Sequence, residues 1–201
     1  MSLFLDIGTG AGLAAASGVR PYLPPLLAGA LARGDVAIDF EGTDWSFLES
    51  PAFLLAVLAL GVLTYGAERS AANRPPGERE SGRRAASLLA GTAGLILGSL
   101  LFAGALADGG REGWIGLVAG PPCAALAWLA VGGLVERARR RLDAGAAGLL
   151  AVYADGASLG LAAFAILVPP LSYVALIGFL VLLFGGRRRE GEKFAGLRVL
   201  R

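Results

Sequence analysis

The sequence predicts an all-α membrane protein, a polytopic transmembrane bundle of about six spans with a broken first span. Three observations point there. Hydrophobic residues make up 55% of the 201 positions and charged residues only 17%, against about 25% charged in ordinary soluble domains. The mean hydropathy is +0.64. The charges are also unevenly distributed: they gather in short clusters between long apolar stretches, the pattern of a chain that crosses a bilayer repeatedly.

About 20 apolar residues cross the ~30 Å hydrocarbon core as a helix. Leu3–Ala32 is the first candidate, interrupted by Arg20, Pro21, Pro24 and Pro25. Pro51–Ala67, Ala85–Ala107 and Gly113–Val135 are clean spans. Ala144–Gly186 is long enough for two, and Pro169-Pro170 is the natural break, because proline removes a backbone donor and restricts the residue before it. Residues 1–186 then form one transmembrane domain, and 187–201 a basic cytoplasmic tail.

The connecting segments orient these spans. Arg33–Glu49 is acidic, with Asp35, Asp39, Glu41, Asp44 and Glu49. Glu68–Arg84 and Glu136–Asp143 are arginine-rich, as is the tail; Asp108–Glu112 holds one arginine. Basic and arginine-poor segments alternate, so the positive-inside rule puts both termini in the cytoplasm. Trp45 and Trp114 fall at outer span ends, where amphipathic rings prefer to sit. The N-terminus has no basic n-region, and Asp6 stands where positive charge would be expected of a signal peptide.

Internal echoes suggest three parallel helical hairpins. Leu26–Gly34 resembles Leu101–Gly109, and Gly10-Ala11-Gly12-Leu13 before Pro24-Pro25 resembles Gly156-Ala157-Ser158-Leu159 before Pro169-Pro170. Glu68-Arg69 and Glu136-Arg137 each close an inward-going span. A chain rich in Ala, Gly and Leu also makes such matches by chance.

What is missing narrows the chemistry. There is no histidine and one cysteine, Cys123, so no intrachain disulfide, no cysteine-based metal site and no His-based dyad. The arginines flank apolar spans, which fits topology and anionic lipid rather than nucleic acid. No cofactor is expected. An enzyme is not expected either: a membrane lipid enzyme would need clustered aspartates around a metal, and Asp155 stands alone in its span.

Arg20 and Asp155 are the outliers, each deep in an apolar span. A charge at the bilayer centre costs roughly 2.5–3.5 kcal/mol on insertion scales, so it normally faces a partner or a wet cavity. At 1.5 Å per residue both lie ~18 Å below the outer ends of their spans, so they can pair. One reading is a structural ion pair locking the first span to the fifth. Another is a substrate or ion site, with Arg20, Asp155 and the Tyr22 hydroxyl beside a helix opened by Gly18 and three prolines. A third makes the first span a re-entrant hairpin with Arg20 in an interface.

The remaining polar groups read more simply. Glu68-Arg69 and Glu136-Arg137 are expected to be solvated or lipid-facing, with a gate pair as the alternative. The acidic Asp35, Asp39, Glu41 and Asp44 are expected to be solvated, with a divalent cation as the alternative. Gly8/Gly12, Gly94/Gly98, Gly116/Gly120 and Gly156/Gly160 have the spacing of close helix packing, within the chain or in a homo-oligomer.

Several stretches together carry a resemblance. They are Ala16-Ser17-Gly18-Val19-Arg20-Pro21-Tyr22-Leu23-Pro24, Glu68, the basic run after the fourth span, Ala154-Asp155-Gly156, and Lys193 to Arg201. The chain resembles the family of small bacterial integral membrane proteins called domain of unknown function four-one-two-six. Where that resemblance implies an acidic-basic pair before Pro75, Ala72-Asn73 stand instead. It implies the architecture and no activity. The expectation is therefore a multi-pass protein of the bacterial plasma (inner) membrane, a transporter or channel for a small solute or ion, with membrane lipids as its surroundings. The alternative is a non-transporting scaffold held by the Arg20–Asp155 pair.

Overall fold

A computed structural model describes residues 2–72, 75, 77–139 and 144–195. Among them are seven α-helices: α1 (Leu3–Val19), α2 (Leu23–Ala32), α3 (Pro51–Ala72), α4 (Arg79–Asp108), α5 (Trp114–Arg139), α6 (Ala144–Leu167) and α7 (Pro170–Ala195). A 3-10 turn at Ser46–Glu49 precedes α3. The fold is an all-α polytopic bundle. Pro51–Ala71, Arg79–Asp108, Trp114–Arg139 and Leu149–Leu167 are long and apolar enough to cross a membrane, while α1, α2 and the apolar part of α7 are shorter.

Prolines set the breaks. Arg20 ends α1 in an extended conformation (φ −142°, ψ 113°), as the residue before Pro21 must. Pro24-Pro25 then lies in the first turn of α2, where missing N–H groups cost nothing. Pro170 opens α7 in the same way. Pro121-Pro122 differs: it lies inside α5.

The first segment departs from the predicted path. The Tyr173 hydroxyl, near the start of α7, donates to the Phe4 carbonyl at 2.7 Å. Asp6 meets Arg111, in the α4–α5 turn, at 3.8 Å. At the other end of the segment, Gly29 of α2 faces the Leu48 carbonyl, and Leu48 and Phe40 pack on Gly104 of α4. The start of α1 and the end of α2 therefore lie together, at the acidic-loop end of the bundle. The two helices form a re-entrant hairpin rather than one broken span.

Two expectations are corrected by this turn. The first and last helices do not place Leu3 and Ala195 at one end of the bundle: α1 starts at the acidic-loop end, whereas α7 starts beside it and runs away. The three-hairpin repeat also fails, because Gly10–Leu13 and Gly156–Leu159 sit on helices running in opposite directions. The physical reason is length. With 17 and 10 residues, α1 and α2 rise ~25 Å and ~15 Å, so only α1 approaches a full crossing before the proline break reverses the chain.

Helix α1 is the core of the bundle. It packs against α2, α4, α5, α6 and α7, and Leu13 to Ala16 are fully buried. Glycine permits the close approach: a Cβ on Gly94 would stand 2.5 Å from the Ser17 carbonyl oxygen, and one on Gly98 3.1 Å from that of Ala14. The outer helices turn large apolar side chains outward, among them Leu63, Val118, Val152 and Ile177, as lipid-facing surfaces do. Helix α2 packs against both α3 and α6, which make no contact with each other among the described residues. Because α2 is short, a gap between α3 and α6 remains beyond its first turn.

Residues 187–195 continue α7 as helix. The rest of the predicted tail and the Ala72-Asn73 departure fall outside the described side chains.

Candidate functional site

Arg20 occupies the gap. It is the last residue before the hairpin turns, ~21 Å along α1 from Asp6. Its side chain is 11% exposed and extends between α3 and α6. The Nη1 group donates to Glu68 Oε1 at 2.8 Å. The Nε group lies 2.7 Å from Asp155 Oδ1, an ion pair off the hydrogen-bond axis, so both atoms keep unused hydrogen-bonding capacity. Nη2 reaches the Ala151 carbonyl of α6 at a long 3.5 Å.

The structure thus brings Arg20 and Asp155 together and adds Glu68, which corrects the reading of Glu68 as a solvated or lipid-facing charge at a helix end. At the end of a 22-residue helix, Glu68 reads as an interfacial charge in sequence. Only the reversal at Pro21 brings a guanidinium to it. Its presence in the family resemblance was the available signal.

Tyr22 caps the N-terminus of α2 without a side-chain hydrogen bond. Its ring lies against Gly61 of α3, where a Cβ would stand 2.9 Å from it. It is within electrostatic reach of Arg20, Asp155 and Glu68. The cluster is asymmetric: Arg20 is nearly enclosed, while the Glu68 and Asp155 side chains are 31% and 35% exposed. Among the described residues it holds two carboxylates for one guanidinium. Such an arrangement can bind and orient charged groups.

Serine hydroxyls tie the hairpin to its neighbours. Ser158 of α6 donates to the Ala16 carbonyl at 3.0 Å, and Ser17 donates back to Leu13 at 2.9 Å. Ser172 of α7 is buried, at the position a Cβ on Gly12 would need.

At the acidic-loop end, Asp6 is 3% exposed, a burial not evident in the sequence. Gly109 makes room for it, since a Cβ there would collide with its carboxylate. Asp35, Asp39 and Glu41 bring carboxylate oxygens within 4.8 Å of one another, all three exposed; Asp44 is not part of that group. Beside them, partial burial and the charges of Asp39, Glu41 and Asp35 push the Glu49 carboxyl above its usual range, against a backbone hydrogen bond at Phe40. The glycine pairs divide: those of α1, α4 and α5 face neighbouring helices, whereas Gly156 and Gly160 meet nothing within 4 Å.

No curated protein and no solved structure matches the chain. A family model does, over residues 7–189, so the hairpin from Ile7 onward and all three charged residues of the cluster lie within the match. On that coverage the chain belongs to the family described as Domain of unknown function (DUF4126).

Proposed function

We propose that the protein is a transporter or channel of the plasma membrane, passing a small solute or ion by way of Arg20, Tyr22, Asp155 and Glu68. The observation that carries this reading is the charged cluster in the gap between α3 and α6, beyond a re-entrant hairpin. Irregular backbone at membrane depth is tolerated where it is buried or lines a cavity. Charges there usually mark pathways, and broken helices often build transport sites. The partial exposure of Glu68 and Asp155 favours a site open on one side. The positive-inside rule puts the arginine-rich end in the cytoplasm, so the cluster would open nearer that face and the start of α1 would be external.

The second reading is a scaffold in which Arg20 fastens α3 to α6. It is favoured by the solid packing of α1 and the close engagement of Arg20 with both acids. Flux in proteoliposomes across a panel of inorganic ions, amines and small acids separates the two. Transport predicts flux in wild type and its loss in Asp155→Asn and Glu68→Gln protein that still folds. A scaffold predicts none in any of them.

A further inference from the structure

We infer that the cluster selects cations, and that the Arg20 guanidinium is a tethered occupant of a seat formed by Glu68 and Asp155, which a free guanidinium- or ammonium-type solute can take over. The inference rests on the transport reading and supplies its substrate class.

Charge is the first argument. Among the described residues one guanidinium faces two carboxylates, which leaves one carboxylate in excess where solvation is weak. A second cation would be attracted, whereas an anion would meet both acids before reaching Arg20. Exposure is the second. The carboxylates are each about three times as exposed as Arg20 (31% and 35% against 11%), so an arriving solute touches acid first. Valence is the third. Asp155 Oδ1 is buried beside Arg20 Nε without accepting a hydrogen bond, so it has a bond to offer an N–H donor once the Arg20 side chain swings aside. Planar guanidinium groups suit paired carboxylate oxygens. The Ala151 carbonyl supplies a further acceptor.

Exchange therefore brings in the one positive charge that the second carboxylate lacks, and leaves both acids paired. An incoming guanidinium or ammonium takes the place of Arg20 at one acid while Arg20 remains on the other. The extended backbone at Arg20 gives that side chain a non-helical base from which to swing.

The test is binding to purified protein in detergent, read as thermal stability against methylguanidinium chloride at low millimolar concentration, with sodium acetate at matched ionic strength as the anion probe. Wild type should show a saturable rise of a few degrees with methylguanidinium and none with acetate, since a ligand that binds only the folded state stabilises it. Arg20→Gly empties the seat, so its methylguanidinium affinity should rise at least tenfold. Combining Glu68→Gln with Asp155→Asn should abolish the response. Stabilisation of wild type by acetate overturns the inference, as does a methylguanidinium response that survives in the Gln/Asn double variant. A response in Arg20→Gly but not in wild type also overturns it, because the seat then serves Arg20 alone. Cation binding without flux leaves the inference standing and sinks the transport reading. Flux of small acids without cation binding does the reverse.

Discussion

Arg20 and Glu68 lie 48 positions apart and meet at 2.8 Å, across a gap that α2 is too short to fill. With Asp155 at 2.7 Å on the other side, Arg20 bridges two helices that make no other contact among the described residues. This three-charge relationship changes what a charge-removal experiment should return.

Removing one member of a buried ion pair typically costs about 3–5 kcal/mol, because a charge is stranded. Arg20→Leu strands two carboxylates, each about a third exposed, so its cost should approach that range without exceeding it. Arg20→Leu with Asp155→Leu still leaves Glu68 without its partner, so its rescue should be incomplete. Adding Glu68→Leu should recover most of the remaining loss. Thermal stability in detergent across the series gives the couplings; additive losses throughout would mean that the three do not act as a unit.

Gly94→Ala should destabilise, because its Cβ would stand 2.5 Å from a backbone oxygen of α1 that cannot move without shifting the central helix. Overpacking of this kind costs about 1–3 kcal/mol, or roughly 2–12 °C for a domain of this size. Gly156→Ala, with open space around it, should leave the melting temperature of the single chain unchanged. Equal losses at both positions would contradict the packing of α4 on α1.

The hairpin makes a topological statement that reporter fusions can check. A reporter before Leu3 and one within Asp35–Glu49 should report the same side. Reporters at Gly77, after Arg139 and after Ala195 should all report the opposite one. A reporter before Leu3 that agrees with the one after Ala195 would restore a first span that crosses fully.

Acid should favour the folded acidic loop at Glu49. Its carboxyl is held above the usual range, first by partial burial and then by Asp39, Glu41 and Asp35. The folded state therefore keeps this proton where the unfolded chain has lost it. Stability then falls as pH rises from the ordinary carboxylate range through the raised folded value, and the deficit persists at neutral pH. Glu49→Gln should accordingly raise stability at pH 7 and change little below pH 4, as followed by melting curves at both pH values. A gain of equal size at both would rule out titration as the cause.

Local chemistry was enough to find the elements. The 55% hydrophobic composition and clustered charges point to a polytopic helical bundle, and the prolines at 21, 24, 25, 169 and 170 mark its breaks. Arg20 and Asp155 stood out because a charge in an apolar run is costly wherever the run folds. These features depend on neighbours within a few residues, so they can be read in one dimension. The reversal at Pro21 cannot, because a proline break is compatible with a kink or a turn. Contacts as remote as Phe4 with Tyr173 and Asp6 with Arg111 decide it. For the same reason Glu68 left the interface for the cluster, Asp6 became buried, and three glycine pairs turned inward while Gly156/Gly160 faced out. Sequence alone determined which charges are expensive to bury; tertiary structure decided which of them share that cost, because pairing depends on the path of the hairpin through the bundle.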